Sequence, residues 1–431
     1  MATTTDYINQ LKADKTNLVN NLIEKGASAT QDETFTSLVP KVLDIETGIT
    51  PTGTINITEN GTYDVTDKAS ANVNVDADVS EYFTDKIPSG SENASGVLNM
   101  IKTIPNVPLF NFDGNYMFRN CSALTHIPLL DTSNCTRMNY IFSNCTSLIE
   151  VPLLNTSKVT QMQNMFYRCI NLKTIPLLDT SNVTTMSDMF NSCSSLISIP
   201  ELDTSKVTNM SNMFYGCRKI VNIPPLDKAS CTNMNNMFNG CEKLTIIPFA
   251  DLNFDNISRV SNMFSNCYSL TSVGNLSFAN TPNIERLFSC SYQDKSNLET
   301  IGNVYCPKAT SLYNTFQNLS KLVSVGEITC EAATNVHDMF SDDKALQNIG
   351  GLINLGQAYS TTQSANNSYY TLNLSTSKLL THDSLMNVIN NLYDIATKGV
   401  KTQQLVLGST NISKLSADEI AIATNKGFSV S

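Results

Sequence analysis

Residues 175–190 read Ile175-Pro176-Leu177-Leu178-Asp179-Thr180-Ser181-Asn182-Val183-Thr184-Thr185-Met186-Ser187-Asp188-Met189-Phe190. The same pattern recurs on both sides, with Phe at 118, 142, 166, 190, 214, 238, 264, 288, 316 and 340, so the intervals are 24 five times, then 26, 24, 28 and 24. A Cys follows each of the first seven Phe by three residues (121, 145, 169, 193, 217, 241, 267), and a Pro follows the first six by ten (128, 152, 176, 200, 224, 248). Gly274, Gly302, Gly326 and Gly350 take the Pro place in the later units. Ten units at a fixed period announce a repeat architecture before any secondary structure is assigned.

Within one unit Val183, Met186, Met189, Phe190 and Cys193 fall on one stripe of a short helix, and Asp179-Thr180-Ser181 supplies N-cap oxygens before it. Leu196, Ile199, Pro200 and Leu202 mark a short extended run, with Pro where no ladder donor is required. The expected unit is a turn, a short helix and a parallel strand. Such a unit buries one face only by stacking on its neighbours. The expected fold is therefore an α/β solenoid, with one parallel strand and one short helix per unit of about 24 residues; at about 4.8 Å per strand it runs to roughly 50 Å.

The pattern Met-Phe-x-x-Cys-x-x-Leu-x-x-Ile-Pro-x-Leu-Asp-Thr-Ser-x-Val-x-x-Met resembles the BspA-like leucine-rich repeats of bacterial surface proteins, over residues 117 to about 352. Before it, residues 1–48, with Leu11-Lys12, Ile23-Glu24-Lys25-Gly26 and Phe35-Thr36-Ser37-Leu38, look like the N-terminal segments of tail proteins from phages and prophages of Gram-positive hosts. So does the run from Pro51 through Asn60-Gly61 to Val65. Residues 381–431 are similar to the closing segment that follows such repeats. The resemblance implies a virion tail protein, made in the host cytoplasm, whose solenoid recognises a receptor on the host surface, protein or glycan. It also implies contact with other tail or baseplate proteins through the N-terminal region. The rivals are a bacterial cell-surface adhesin, for which no export signal is seen, and a purely structural tail or baseplate protein.

The domains expected are a helical attachment or oligomerisation segment over 1–48, a β-hairpin module over 49–76 marked by Asn60-Gly61, an N-terminal cap over 77–116, the solenoid over 117–355 and capping units over 356–431. Ile8, Leu11, Leu18 and Leu22 form a helical stripe in the first segment, which suits a homo-oligomer, a trimer being one form. In the last, Thr381 to Ala396 reads as a helix, Gln404 to Leu407 as a strand and Ala417 to Thr424 as a helix.

Composition narrows the function. The chain has 431 residues, a formal charge of −10, no Trp and three His, with roughly 50 Asn, far above ordinary usage. Residues 1–116 carry seven Lys/Arg against sixteen Asp/Glu, residues 117–250 ten against eight, and the remainder eleven against fourteen. No segment is basic enough to track nucleic acid, and no apolar run of eighteen residues suggests membrane insertion. His126, His337 and His382 share no phase of the repeat, and no paired carboxylates suggest glycan cleavage. No enzyme activity, cofactor or metal is expected. The Cys ladder reads as buried structural thiols that stay reduced, since one Cys per unit gives parallel side chains rather than converging ligands. The Met residues share the Phe stripe and read as core. The recurring Asp131, Asp179, Asp203 and Asp227 read as caps rather than a calcium row.

Outward-facing residues are then the partner-binding candidates. By strand alternation, the position after each Pro points out: Leu129, Leu153, Leu177, Glu201, Pro225 and Phe249, while Leu130, Leu154, Leu178, Leu202 and Leu226 turn inward. A second set lies at the expected helix end: Arg119, Tyr167, Arg168, Tyr215, Arg218 and Tyr268, residue types enriched at binding hot spots.

Overall fold

The computed structural model describes residues 114–431, except 128, 129, 131 and 293. The helical segment expected over 1–48, the hairpin over 49–76 and all but the end of the cap over 77–116 lie outside the described residues. From residue 114 to about 355 the chain winds as a solenoid of stacked units. Its core is a continuous file of Phe rings from Phe118 to Phe340, fully or almost fully buried. Neighbouring rings are stacked 5.2 to 6.4 Å apart. Met186, Met189, Cys193 and Leu196, with their equivalents, line the same core.

The short helix expected in each unit is absent; two consecutive turns stand in its place. Met189 N–H donates to Met186 C=O at 3.2 Å and Cys193 N–H to Phe190 C=O at 3.0 Å, each closing a four-residue turn. The third residue of each turn has positive φ, Asp188 at 58° and Ser192 at 63°, which marks a type II turn. Equivalent pairs recur at Asn164 and Arg168, Asn212 and Gly216, Asn236 and Gly240, Asn262 and Asn266, and Asn314 and Asn318. A left-handed residue every fourth position cannot belong to an α-helix. Asn, Asp and Gly tolerate that conformation best, and eleven Asn among the described residues adopt it.

The N–H groups between these turn bonds reach the next unit: Met186 to Asn209 C=O, Asp188 to Ser211, Phe190 to Met213 and Ser192 to Tyr215, at 2.6 to 3.1 Å. Thr184 N–H turns the other way, to Thr160 C=O at 2.9 Å. Arg137, Gln161, Thr185, Asn209, Asn233 and Arg259 form the resulting run of parallel bridges. Buried backbone groups thus find partners within the unit or in its neighbours.

The recurring polar residues complete the stacking. From Cys145 to Cys267 each ladder Cys donates its thiol to the C=O of the Phe in the preceding unit, as in Cys193 to Phe166 and Cys217 to Phe190, at 3.0 to 3.2 Å along the file. In the last unit Asp343 takes the Cys place and accepts from Leu319 N–H at 2.8 Å; burial holds its carboxyl well above the usual range. Asp179 accepts from the N–H and hydroxyl of Ser181, and Asp203 does the same with Ser205. They cap a turn rather than a helix, and these bonds hold both carboxyls below their usual range.

Pro and Gly divide the solenoid. Where Pro stands, the extended run carries no β-ladder. The buried residues Leu196, Ile199 and Leu202 recur every third position rather than alternating, as in a polyproline-like chain. Where Gly stands, parallel strands form: β1 (Ser272–Val273), β2 (Leu276–Ser277), β3 (Thr300–Ile301), β4 (Val304–Tyr305), β5 (Ser324–Thr329) and β6 (Asn348–Ile353). The ladders β1-β3 and β2-β4 converge on β5, which pairs with β6. Gly302 N–H donates to Val273 C=O at 2.9 Å, a bond Pro cannot make. A Cβ at Gly302, Gly326 or Gly350 would lie 2.7 to 2.8 Å from a backbone nitrogen of the preceding unit, so only Gly permits this approach. After the repeats come β7 (Leu372–Asn373), α1 (His382–Asn391), β8 (Gln403–Val406), α2 (Ser409–Ile412), α3 (Ala417–Asn425) and β9 (Phe428–Val430). Strands β7, β8 and β9 form a second parallel sheet. The helix expected from Thr381 to Ala396 is capped by Thr381 and ends at Asn391.

All twelve Cys are buried and none is in a disulfide; burial pushes the Cys306 thiol up to about 12 and the Cys193 thiol well above the ordinary range. In native buffer, iodoacetamide is therefore expected to leave the ladder Cys unmodified, with all twelve labelled once denaturant is added. Labelling of Cys193 in the folded protein, seen by mass analysis, would contradict the buried ladder.

The C-terminal units carry a pH signature. His382 Nε2 lies 2.8 Å from Glu419 Oε1, and that bond, with a further one to Asp383, raises the imidazole above its ordinary 6.5. Glu419 is held below its ordinary 4.5 by the Ser416 N–H and hydroxyl and by His382. The His382 contribution is complete below about pH 6.5 and fades as pH rises through the elevated value, whereas that of Glu419 is complete above about pH 4.5 and fades toward acid. The melting-temperature difference between the protein and its His382→Gln variant should therefore be largest between about pH 4.5 and 6.5. A difference constant from pH 5 to 9 would remove the pair from the account.

Candidate recognition cleft

Position in the unit decides what each candidate does. Leu153 and Leu177 are each 64% exposed, while Leu154 and Leu178 are buried. Glu201 and Pro225 are also exposed, and Leu129 lies outside the described residues. Phe249 does not point outward. The interval from Phe238 to Phe264 is two residues longer, and the chain turns tightly there, with Phe249 N–H donating to Ile247 C=O at 3.0 Å. Phe249 is thereby buried, edge-on to Phe238 and Phe254 at 6.0 and 5.5 Å, and Ile246 is exposed instead at 69%. The expected strip of stacked outward Leu is thus a pair among the described residues.

The second set separates as well. Arg119 is half-buried, its guanidinium 5.5 and 5.4 Å from the stacked rings of Tyr116 and Tyr140. Tyr268 is buried, because the longer interval from Phe288 to Phe316 folds back over it: Asn297 N–H donates to Tyr268 C=O at 3.0 Å, and Lys295 Nζ sits 5.5 Å from its ring. The other four converge. Tyr167, Arg168, Tyr215 and Arg218 line one shallow cleft of about 620 Å³ on the turn side of the units.

Sequence reasoning missed the rest of that cleft. Ile170, Ser192, Ser194, Ser195, Gly216 and Lys219 also line it. Arranging the units by their distance from Phe would have found them, since Ile170, Ser194 and Arg218 stand four residues after successive Phe, and Ser195 and Lys219 five. The lining holds three cations and no carboxylate. Glu242 lies 3.7 Å from Arg218, an ion pair whose arginine side chain remains 68% exposed. A pair this exposed holds Arg218 only weakly.

Two further backbone facts single out this place. At the left-handed turn positions fifteen of the twenty non-Gly residues described are Asn or Asp; the others are Tyr116, Tyr140, Arg168, Ser192 and Arg286. Arg168 and Ser192 both line the cleft. A residue kept in an unfavourable backbone conformation, where other units use Asn or Gly, points to a role for its side chain. Among the described residues no group of three or more His, Cys, Asp and Glu is close enough to hold a metal ion, and no helix is long and apolar enough to cross a membrane.

Comparison with known proteins bears on the repeats. Among solved structures, a leucine-rich-repeat protein of T. pallidum is 20% identical, over 39% of this chain and 76% of its own, with a TM-score of 0.31. A TLR13–ssRNA13 complex is 13% identical, over 68% of this chain and 44% of that one, with a TM-score of 0.25. The plant peptide hormone receptor RGFR1 in complex with RGF2 is 13% identical, over 72% and 68%, with a TM-score of 0.19. No curated protein matches the chain. A family model does: residues 112–220 and 195–301 match the family described as "Mycoplasma protein of unknown function, DUF285", a stretch that holds the Cys- and Pro-bearing units and the whole cleft.

Proposed function

We propose that the chain is a binding protein without catalytic activity, whose solenoid recognises a bacterial cell surface through the cleft between Tyr167 and Lys219. One observation carries this reading. Four exposed or half-buried residues of hot-spot type, Tyr167, Arg168, Tyr215 and Arg218, meet in one cleft on a scaffold whose core repeats without regard to them. In its finer form the protein is the receptor-binding protein of a phage or phage-like tail, joined to its particle and to other copies through residues 1–76. That form rests on the resemblance of those residues to tail proteins. The repeat match over residues 112–301 is equally compatible with a BspA-like surface adhesin. Fractionation separates the two: a tail protein co-purifies with particles, and its incorporation requires residues 1–76, whereas an adhesin stays with the cell envelope.

The cleft is tested by cell binding. Tyr167→Ala and Tyr215→Ala together should weaken binding to Gram-positive host cells by tenfold or more, since truncating one anchor costs about 2 kcal/mol. Leu153→Asp with Leu177→Asp should leave binding and the circular dichroism spectrum unchanged, because both side chains are exposed while Leu154 and Leu178 stay buried. The reverse result would move recognition to the Leu pair.

A further inference from the structure

The chemistry of the cleft narrows what it can hold. Its cations Arg168, Arg218 and Lys219 lie in the one part of the chain with a positive balance, ten Lys/Arg against eight Asp/Glu over residues 117–250, in a protein of charge −10. Arg168 is exposed, and Arg218 has only the loose contact with Glu242. Guanidinium groups present forked donors that fit an acid group in bidentate fashion. Tyr215, 40% exposed, and Tyr167 belong to units two repeats apart, with Asn191 in the equivalent place between them. At about 4.8 Å per unit the two rings stand roughly 10 Å apart, and Ser192, Ser194 and Ser195 line the same cleft. Aromatic faces with an apolar body and a polar tip, hydroxyls and forked cations suit a ring that is apolar on its faces, hydroxylated at its edge and acidic at one substituent.

We infer that the cleft binds an acidic saccharide, with the sugar ring against Tyr167 or Tyr215 and its acid group on Arg168 and Arg218. This rests on the cleft being the recognition site and adds the class of ligand. Arg168 then has a reason to stand where Asn144 and Gly240 stand in other units, at a φ of 58° that Arg adopts with difficulty. The backbone cost is kept for the guanidinium. Ser192 and Gly216, which hold the same place in the next two units, are both short.

The test uses the full chain and three immobilised polymers: polygalacturonate for a carboxylate, dextran sulfate for a sulfate, and dextran for the neutral case. Retention on at least one acidic polymer and not on dextran is expected, falling as salt rises. Arg168→Asn is the decisive variant, because Asn suits the left-handed position: its melting temperature should equal or exceed that of the parent while retention drops by tenfold or more. Arg218→Gln should weaken retention without touching the backbone. Equal retention on dextran, or acidic retention unchanged in Arg168→Asn and Arg218→Gln, would overturn the inference. Cell binding keeps the two levels apart: cells lost by the tyrosine variants but held by both arginine variants would leave the cleft in place and remove the acidic saccharide. Comparing the two acidic polymers tells carboxylate from sulfate.

Discussion

The bond from an alternate backbone N–H to the carbonyl one unit further on, as from Phe190 to Met213 at 2.9 Å, is the constraint on which the rest depends. It fixes the unit rise near that of a β-ladder, and so brings Phe rings into stacking distance. It also requires the remaining N–H groups to find partners inside the unit, which they do by closing the two turns. Those turns need a left-handed residue at their third position, and the choice of Asn, Asp or Gly follows. The Cys thiol adds a donor to the Phe carbonyl one unit back, tying side chain to backbone at the point where the file is most buried.

Much of this was legible in the sequence and some was misread for definite reasons. The period, the stacking and the core were plain, because a 24-residue repeat of Phe, Met, Cys and Leu admits no other arrangement. The helix was misread because a pair of type II turns also places residues 183, 186, 190 and 193 on one face. The corrective signal was present in Asn164, Asp188, Asn212 and Asn236: Asn and Asp repeated at a buried-face neighbour position favour turns over helix interiors. The extended run was read with a period of two, although Leu196, Ile199 and Leu202 repeat every three. Phe249 and Tyr268 were misplaced because inserted residues shift or cover a column that is otherwise regular, which spacing alone does not reveal.

A solenoid of this kind separates folding from recognition. Each core residue meets its equivalents above and below, so stability spreads over neighbours, and an outward position can change with little effect on its unit. The four hot-spot residues of the cleft come from two units separated by a third. Such a site needs the units to repeat with equal rise and equal length, since the side chains that meet are about 50 residues apart in the chain yet two turns apart in space.

That requirement explains where the cleft lies. It falls in the Pro-bearing half, where five consecutive Phe intervals are 24 and the rim columns stay open. In the Gly-bearing half the extended run is knitted into a sheet by bonds such as Gly302 to Val273, but the 28-residue unit from Phe288 to Phe316 carries extra chain over the rim, and Tyr268, which stands where Arg218 stands in its own unit, is covered by it. Pro keeps the extended face free of a ladder in the half that has the cleft, and Gly adds one in the half that does not. The regular half presents side chains, and the irregular half, joined to α1 through β6 and to the closing sheet beyond, holds the end of the stack.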